Sequence, residues 1–227
     1  MTSTPPEARD ESQTFAERAQ TFLDWTKVNT KALTIGAIVV VVAGAAFWFY
    51  TRSRELQAAN AERALMAAQQ AVGSGNLALA QSDLDKVATR YSSTTAGVEA
   101  SLLLAQVDYN QKKYQDGISA LQRIAGSSAA GPYLPTIKSL MGDGYMELGK
   151  PSDAAKQYEA AASAASQLPN EHAFHSSKAA RAYAAAGDTA KARQLWASLE
   201  ADTSAAGLLQ SEAKIRLGEL TARVAKK

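Results

Sequence analysis

One stretch of the chain is apolar without interruption, whereas the rest mixes apolar and polar positions. From Leu33 to Tyr50 the sequence reads LTIGAIVVVVAGAAFWFY and contains no charged residue. As a helix this stretch spans about 27 Å at about 1.5 Å per residue, close to the thickness of a bilayer core. Lysines precede it, arginines follow it, and four aromatic residues end it, which is typical of a lipid–water interface. The pattern predicts a transmembrane helix over residues 32–51.

Two other interpretations of this stretch are a buried core helix and a cleaved signal peptide. The second is suggested by Ala43-Gly44-Ala45, which resembles a cleavage site. The long leader before Leu33 and the apolar residues that continue past the site argue against cleavage. Lysine and arginine are balanced on the two sides, so charge alone does not decide the orientation. A short tail often stays in the cytoplasm while a long C-terminal domain is translocated, which leaves a cytoplasmic N-terminus plausible on length alone.

The N-terminal tail, residues 1–31, begins with a polar stretch and then shows a helix signal. Thr14 and Glu17 have the spacing of a capping box. One face of the helix that follows would carry Phe15, Ala19, Phe22 and Leu23. That face suits a membrane surface or a partner protein, and a weakly ordered tail is the competing interpretation.

The remaining residues, 52–227, repeat with a period of 37 to 38 residues. A first column of small residues holds Ala68, Ala105, Gly142, Ala180 and Gly218. A second small column holds Ala80, Gly117, Ala154 and Ala192. Large apolar residues follow four positions later, at Leu84, Leu121, Tyr158 and Trp196, and the same helical face continues through Val87, Ile124, Ala161 and Leu199.

Small residues on both helices of an antiparallel pair let the backbones approach, and the bulky residue one turn later fills the groove. Glycine between the two halves of a repeat suits the left-handed end of a helix, with Lys112 standing where the other repeats have Gly75, Gly149 and Gly187. We therefore predict helical hairpins near 57–92, 97–130, 134–167 and 173–204. A final helix, 208–225, would cap the open end.

The columns resemble the tetratricopeptide repeat, most clearly over residues 138–161 and 176–199. The matching residues are Tyr145, Gly149, Ala154 and Tyr158 in the first copy, and Tyr183, Gly187, Ala192 and Trp196 in the second. The period exceeds the usual length of roughly 34 residues, which implies longer turns such as Ser163 to Glu171. The fold class predicted is all-α: one N-terminal transmembrane helix, then a tetratricopeptide-like solenoid of about four hairpins and a capping helix. A generic array of helical hairpins is the alternative.

The whole chain also resembles the YfgM-like family, ancillary subunits of the bacterial Sec translocon. The resemblance rests on the short acidic-leaning tail, the helix that begins near Lys31-Ala32-Leu33, its Trp- and Tyr-rich end, and the degenerate repeats. It implies an inner-membrane protein with a cytoplasmic N-terminus and periplasmic repeats, associated with the translocon and with periplasmic chaperones. The family supplies no catalytic motif to transfer.

Composition and motifs argue against catalysis and nucleic-acid binding. The net charge is only +2, and the chain has no cysteine. Neither a phosphate-binding glycine loop nor a serine-hydrolase elbow occurs. Glu171, His172 and His175 are too few for a convincing metal site and are expected to be ordinary, partly exposed residues at a helix start. We predict no enzyme activity, no cofactor, no metal and no nucleic acid, with other proteins and the lipid bilayer as partners.

A solenoid of this type presents a binding surface built from its first helices. The repeat register places on that surface, named here the inner face, eight residues: Leu65, Gln69, Leu102, Gln106, Tyr109, Asp143, Met146 and Arg181. A scaffold near the translocon is the first functional hypothesis. An accessory structural subunit of another inner-membrane complex, respiratory, photosynthetic or envelope-building, is the second, since Ala32, Gly36 and Gly44 share one face and permit close helix packing.

Overall fold

The computed structural model describes residues 30–203 and 207–225, together with Gln20 and Trp25. The chain divides into two compact units, Met1–Glu55 and Leu56–Lys227. The tail helix predicted around Phe15 and Phe22 lies outside the described residues.

Helices make up the described part of the chain, which contains no strand. In chain order they are α1 (Thr30–Gly73), α2 (Leu77–Arg90), α3 (Thr95–Asn110), α4 (Tyr114–Ile124), α5 (Leu134–Glu147), α6 (Pro151–Ala164), α7 (Pro169–Ala185), α8 (Thr189–Ala201) and α9 (Gly207–Ala225). A short 3-10 helix, Gly131–Tyr133, precedes α5. From α2 onward each helix packs against the next one in the chain, as the predicted all-α solenoid requires.

The first helix, α1, contains both the apolar stretch and the first helix of the first hairpin, in 44 continuous residues. By length and composition it is able to cross a membrane, with a mean hydropathy of 1.9 over its most apolar window. None of that window is buried within the protein. The side chains of Ile35, Val40 and Phe49 are 63%, 71% and 70% exposed. Within this chain the stretch is therefore not a buried core helix.

One tight turn joins the two helices of each of the four hairpins, at the positions predicted from the sequence. Gly75, Gly149 and Gly187 have φ angles of +75°, +68° and +82°. Lys112 occupies the same left-handed conformation, with φ of 60°, where the other hairpins have glycine. A side chain with a Cβ adopts this conformation at a cost of roughly 1–2 kcal/mol, so the turn at Lys112 is strained.

The predicted columns form the seams within the hairpins. Ala80, Ala154 and Ala192 are fully buried, and Gly117 is buried with them. The large column is also buried throughout, with exposures of 0%, 0%, 3% and 1% for Leu84, Leu121, Tyr158 and Trp196. One close approach lies at Gly142 in α5, where an added Cβ would stand 2.5 Å from Cε1 of Tyr158 in α6.

The final helix differs from the prediction at one column position. Gly218 is exposed, and nothing lies within 4 Å of the place a Cβ would take. Ala213 and Leu220 are the buried residues of α9 instead. The reason is that a small-column residue is covered by the second helix of its own hairpin, and α9 has no such helix among the described residues.

One predicted turn is shorter in the structure. The segment from Ser163 to Glu171 was expected to be a long turn, but α6 continues to Ala164 and α7 begins at Pro169. Proline is favoured in the first turn of a helix because it has no N–H to leave unpaired there. The additional residues of this repeat therefore lengthen α7 to 17 residues rather than extending the loop.

Candidate protein-binding surface

The structure leaves some inner-face residues accessible and buries others. Gln69 of α1, Gln106 of α3 and Arg181 of α7 are exposed, and Met146 of α5 is 36% exposed. Leu102 is half-buried. Leu65 is only 6% exposed and belongs to the hydrophobic core beside Leu84, Val87 and Leu104. The first helices thus present a largely polar set of side chains with a few apolar ones.

Tyr109 packs between two hairpins rather than standing free on the inner face. Its hydroxyl donates a hydrogen bond to the carbonyl oxygen of Leu140, at 2.9 Å. Its ring lies against Gly117 and Gly144, so closely that a Cβ on either glycine would collide with it. Burial raises the pKa of Tyr109, and the carboxylate of Asp143 adds to this effect. Tyr109 joins α3 to α5, and its truncation is expected to affect folding as well as binding.

Asp143 lies at the centre of a polar cluster between α5, α6 and α7. Its Oδ1 accepts a hydrogen bond from the Tyr158 hydroxyl at 2.6 Å and pairs with Lys178 Nζ at 2.7 Å. Lys178 also donates to Ser139 Oγ at 2.9 Å and stands 4.7 Å from the centre of the Tyr158 ring. Burial raises the pKa of Tyr158, followed by the hydrogen bond to Asp143. The tyrosine therefore stays protonated and keeps its donor for Asp143.

Arg181 pairs with the capping helix. Its Nε lies 3.0 Å from Oε1 of Glu212, and its Nη2 lies 2.5 Å from Oε2. Arg216 adds a second guanidinium, 3.6 Å from Glu212 and 3.0 Å from Glu219. The hydrogen bond from Arg181 lowers the pKa of Glu212, which keeps this carboxylate ionised. The bidentate geometry orders the Arg181 side chain while leaving 45% of it exposed.

Asp143 and Arg181 lie on first helices, α5 and α7, and the sequence did not predict their partners. Lys178, Ser139, Glu212 and Arg216 carry no pattern of their own along the chain. Lys178 is 35 residues from Asp143, and Glu212 is 31 residues from Arg181. These separations are close to one repeat period. A search for pairs about one period apart on adjacent first helices could therefore have found these partners.

The histidine segment differs in part from the expectation of exposed residues. His172 is half-buried, and its Nδ1 lies 2.9 Å from the carbonyl oxygen of Ala162. His175 is only 7% exposed, and its Nδ1 has no hydrogen-bond partner. Burial lowers the pKa of His175, and the nearby ammonium of Lys178 lowers it further. Within the described residues no group of three or more His, Cys, Asp or Glu side chains is placed to hold a metal ion.

Comparison with solved structures supports the same architecture. A kinesin-light-chain-type protein of Podosopora anserina with nearly identical TPR-like repeats is similar over 73% of this chain and 87% of its own, with 16% identity and a TM-score of 0.55. BtubC from P. vanneervenii is similar over 75% and 84%, with 15% identity and a TM-score of 0.52. MamA is similar over 73% and 88%, with 16% identity and a TM-score of 0.51. At these identities the similarity concerns the fold.

The sequence comparisons are consistent with this fold assignment. No curated protein matches the chain. The family of the tetratricopeptide repeat-like domain matches residues 24–129 and 60–175, which together cover more than half of the sequence. With the hairpins, their left-handed turns and the buried small-residue columns, this match shows that the chain belongs to the tetratricopeptide repeat-like domain family.

Proposed function

We propose that the protein is a membrane-anchored, non-enzymatic scaffold that binds other proteins, with residues 32–51 as its anchor and residues 52–227 as its binding domain. The observation that carries the proposal is that one chain contains both a repeat domain of an interaction-scaffold family and an apolar stretch of helix that is not buried within the protein. An anchor confines the repeats to a surface and thereby raises their effective concentration near partners at that surface.

The proposed partners are subunits of the protein translocon and periplasmic chaperones. The resemblance of the whole chain to the YfgM-like family supports this proposal, as it supports an inner-membrane location with periplasmic repeats. Protease added to intact spheroplasts tests the orientation, since it should digest residues 52–227. Protection of those residues until the cells are lysed would show the opposite orientation.

The inner face is the proposed partner-binding surface, and its exposed members allow a test that leaves the core intact. The variant Gln69→Glu, Gln106→Glu and Met146→Glu adds three negative charges to first helices. A matched control, Gln115→Glu, Gln122→Glu and Gln194→Glu, adds the same charge to exposed positions on the second helices α4 and α8. Tyr109 is left unchanged because of its packing role.

Mild-detergent affinity purification with mass spectrometry identifies the captured proteins and measures their yield. The inner-face variant should capture partners at least about tenfold less well than the wild type, equivalent to roughly 1.4 kcal/mol. The control variant should capture them normally, and both should melt as the wild type does. Unchanged capture by the inner-face variant would move recognition to another surface.

A second function, that of an accessory structural subunit in another inner-membrane complex, is favoured by one feature of α1. Gly36 and Gly44 have nothing within 4 Å of their Cβ positions, so this face is open to close approach by another helix. The double change Gly36→Leu and Gly44→Leu should release the protein from such a complex. Under the scaffold function, partner capture by the repeats would survive the same change.

A further inference from the structure

A cavity of about 380 Å³ opens between the helices α6, α7 and α8. This volume lies within the range of roughly 300–1,000 Å³ that is usual for small-molecule sites. The polar part of its lining consists of Glu159, Ser163, His172, Ser176, Ser198 and Asp202. The half-buried side chain of Leu195 provides apolar surface in the wall.

The cavity lies on the opposite side of α7 from the inner face. His172 and Ser176 line it, and because they are four residues apart they share one face of that helix. Arg181, the inner-face residue of α7, follows Ser176 by five residues, which is a rotation of about 140° around the helix axis. The other walls come from α6 and α8, which are second helices. A molecule bound in this cavity therefore leaves the inner face free.

Ser176 places an unpaired hydroxyl group in this cavity. The residue is only 7% exposed, and its hydroxyl makes no hydrogen bond to any residue that the structure describes. The neighbouring hydroxyl of Ser177, by contrast, donates to the carbonyl oxygen of Phe174 at 2.8 Å. Buried polar groups are normally hydrogen-bonded, because leaving one unpaired destabilises the protein. A polar group bound in the cavity supplies the partner that Ser176 lacks.

The larger polar groups of the lining are hydrogen-bond acceptors. Oε2 of Glu159 accepts from the Tyr183 hydroxyl at 2.6 Å, whereas its Oε1 accepts no hydrogen bond from a described residue. Nδ1 of His172 lies 2.9 Å from the carbonyl oxygen of Ala162. Because a carbonyl oxygen only accepts, Nδ1 carries the hydrogen, and Nε2 of the neutral ring is an acceptor.

The lining also carries negative charge. It contains two carboxylates, those of Glu159 and Asp202, and neither lysine nor arginine. The ammonium group of Lys191 donates to the Tyr183 hydroxyl at 3.3 Å, and that hydroxyl in turn donates to Glu159. A cleft lined by one sign of charge attracts ions of the opposite sign. A primary ammonium group has a positive charge, three N–H donors and no acceptor, and it therefore complements this lining.

We propose that this cavity is a binding site for a small primary alkylammonium ion. The ammonium group binds among Glu159, His172 and Ser176, and the alkyl chain lies along Leu195. This small-molecule site goes beyond the proposed scaffold function and does not depend on it, because it lies on a different side of α7 from the inner face.

Binding is measured on the full-length protein in an uncharged detergent, by titration with saturation-transfer NMR. The probe is 4-amino-1-butanol. Two controls have the same length: 1,4-butanediol, in which a hydroxyl replaces the ammonium group, and 4-hydroxybutyrate, which is an anion. The amine should give a saturable signal, and both controls should bind at least about tenfold more weakly, because hydrogen bonds between charged groups are the stronger ones.

Two pairs of matched variants locate the binding. Glu159→Gln removes a charge and keeps an oxygen for the Tyr183 hydroxyl, whereas Glu200→Gln removes the same charge at an exposed position outside the lining. Ser198→Phe places a ring at the exposed edge of the cavity, and Ala197→Phe places the same ring on α8 outside the lining. The first variant of each pair should bind the amine at least about tenfold more weakly. The second should bind it normally, and all four should melt close to the wild-type temperature.

The proposal is overturned if 4-amino-1-butanol gives no saturable signal, or if 1,4-butanediol or 4-hydroxybutyrate binds equally well. It is also overturned if Glu159→Gln or Ser198→Phe binds the amine as the wild type does, since binding then takes place elsewhere. The scaffold function is judged separately, by whether the inner-face variant loses partner capture. Failure of the amine to bind leaves that function standing.

Discussion

Replacing Gly142 with alanine is expected to lower the stability of the protein, whereas the same replacement at Gly218 is expected to raise it. Both glycines occupy the same column of the repeat. At Gly142 the new Cβ would stand 2.5, 2.7 and 2.9 Å from three atoms of the Tyr158 ring. That ring has little freedom to move, because its hydroxyl is bonded to Asp143 and Lys178 lies over its face. At Gly218 the new methyl group would meet nothing within 4 Å.

The magnitudes follow from two opposing contributions. Alanine in a helix interior is favoured over glycine by about 1 kcal/mol. Overpacking a well-filled contact costs typically about 1–3 kcal/mol. For Gly142→Ala we expect a net loss of stability of about 1–2 kcal/mol, because the Tyr158 ring has little freedom to move and the cost of overpacking is therefore in the upper part of that range. For Gly218→Ala only the first contribution applies, so we expect a gain of about 0.5–1 kcal/mol.

Circular-dichroism melts of the full-length protein measure both changes. About 1 kcal/mol shifts the melting temperature by roughly 2–4 °C in a domain of this size. Gly142→Ala should melt lower and Gly218→Ala higher than the wild type. The loss at Gly142 should shrink in a Tyr158→Leu background, because the ring that causes it is gone. A Gly142→Ala protein as stable as the wild type would refute the close helix crossing.

Three further predictions concern the seam, a turn and a buried histidine. Ala154→Leu should lower the stability by about 1–3 kcal/mol in a urea titration, since Ala154 is fully buried at its seam; an unchanged midpoint would contradict the register. Lys112→Gly should raise the stability by about 0.5–1 kcal/mol by relieving the strain of the left-handed conformation. A loss of stability in this variant would contradict the strain assigned to the turn. His175 has a lowered pKa, so the unfolded chain takes up its proton more readily. Its contribution to stability is complete above the ordinary pKa of about 6.5 and is lost as the pH falls below it. His175→Gln should therefore show a smaller fall in melting temperature between about pH 7 and pH 5.5 than the wild type, and an identical fall would refute this assignment.

The sequence alone determined the features of this protein that depend on neighbours along the chain. A repeat period of 37 to 38 residues with two small columns predicts paired helices, because helix faces recur every three to four residues. The left-handed turns were located for the same local reason, including the one at Lys112, which stands where the other repeats have glycine. The uncharged stretch from Leu33 to Tyr50 predicted a transmembrane helix from composition alone, and the structure has an apolar helix there that is not buried within the protein.

Only the tertiary structure decided how side chains meet across repeats. Nothing local indicates that Tyr109 donates to Leu140, or that Lys178 reaches Asp143, because such pairs depend on the offset between helices more than 30 residues apart. Gly218 is likewise exposed because no helix covers it in the described part of the chain. Its own helix, α9, repeats the column pattern of the other first helices, so the sequence did not indicate this exposure.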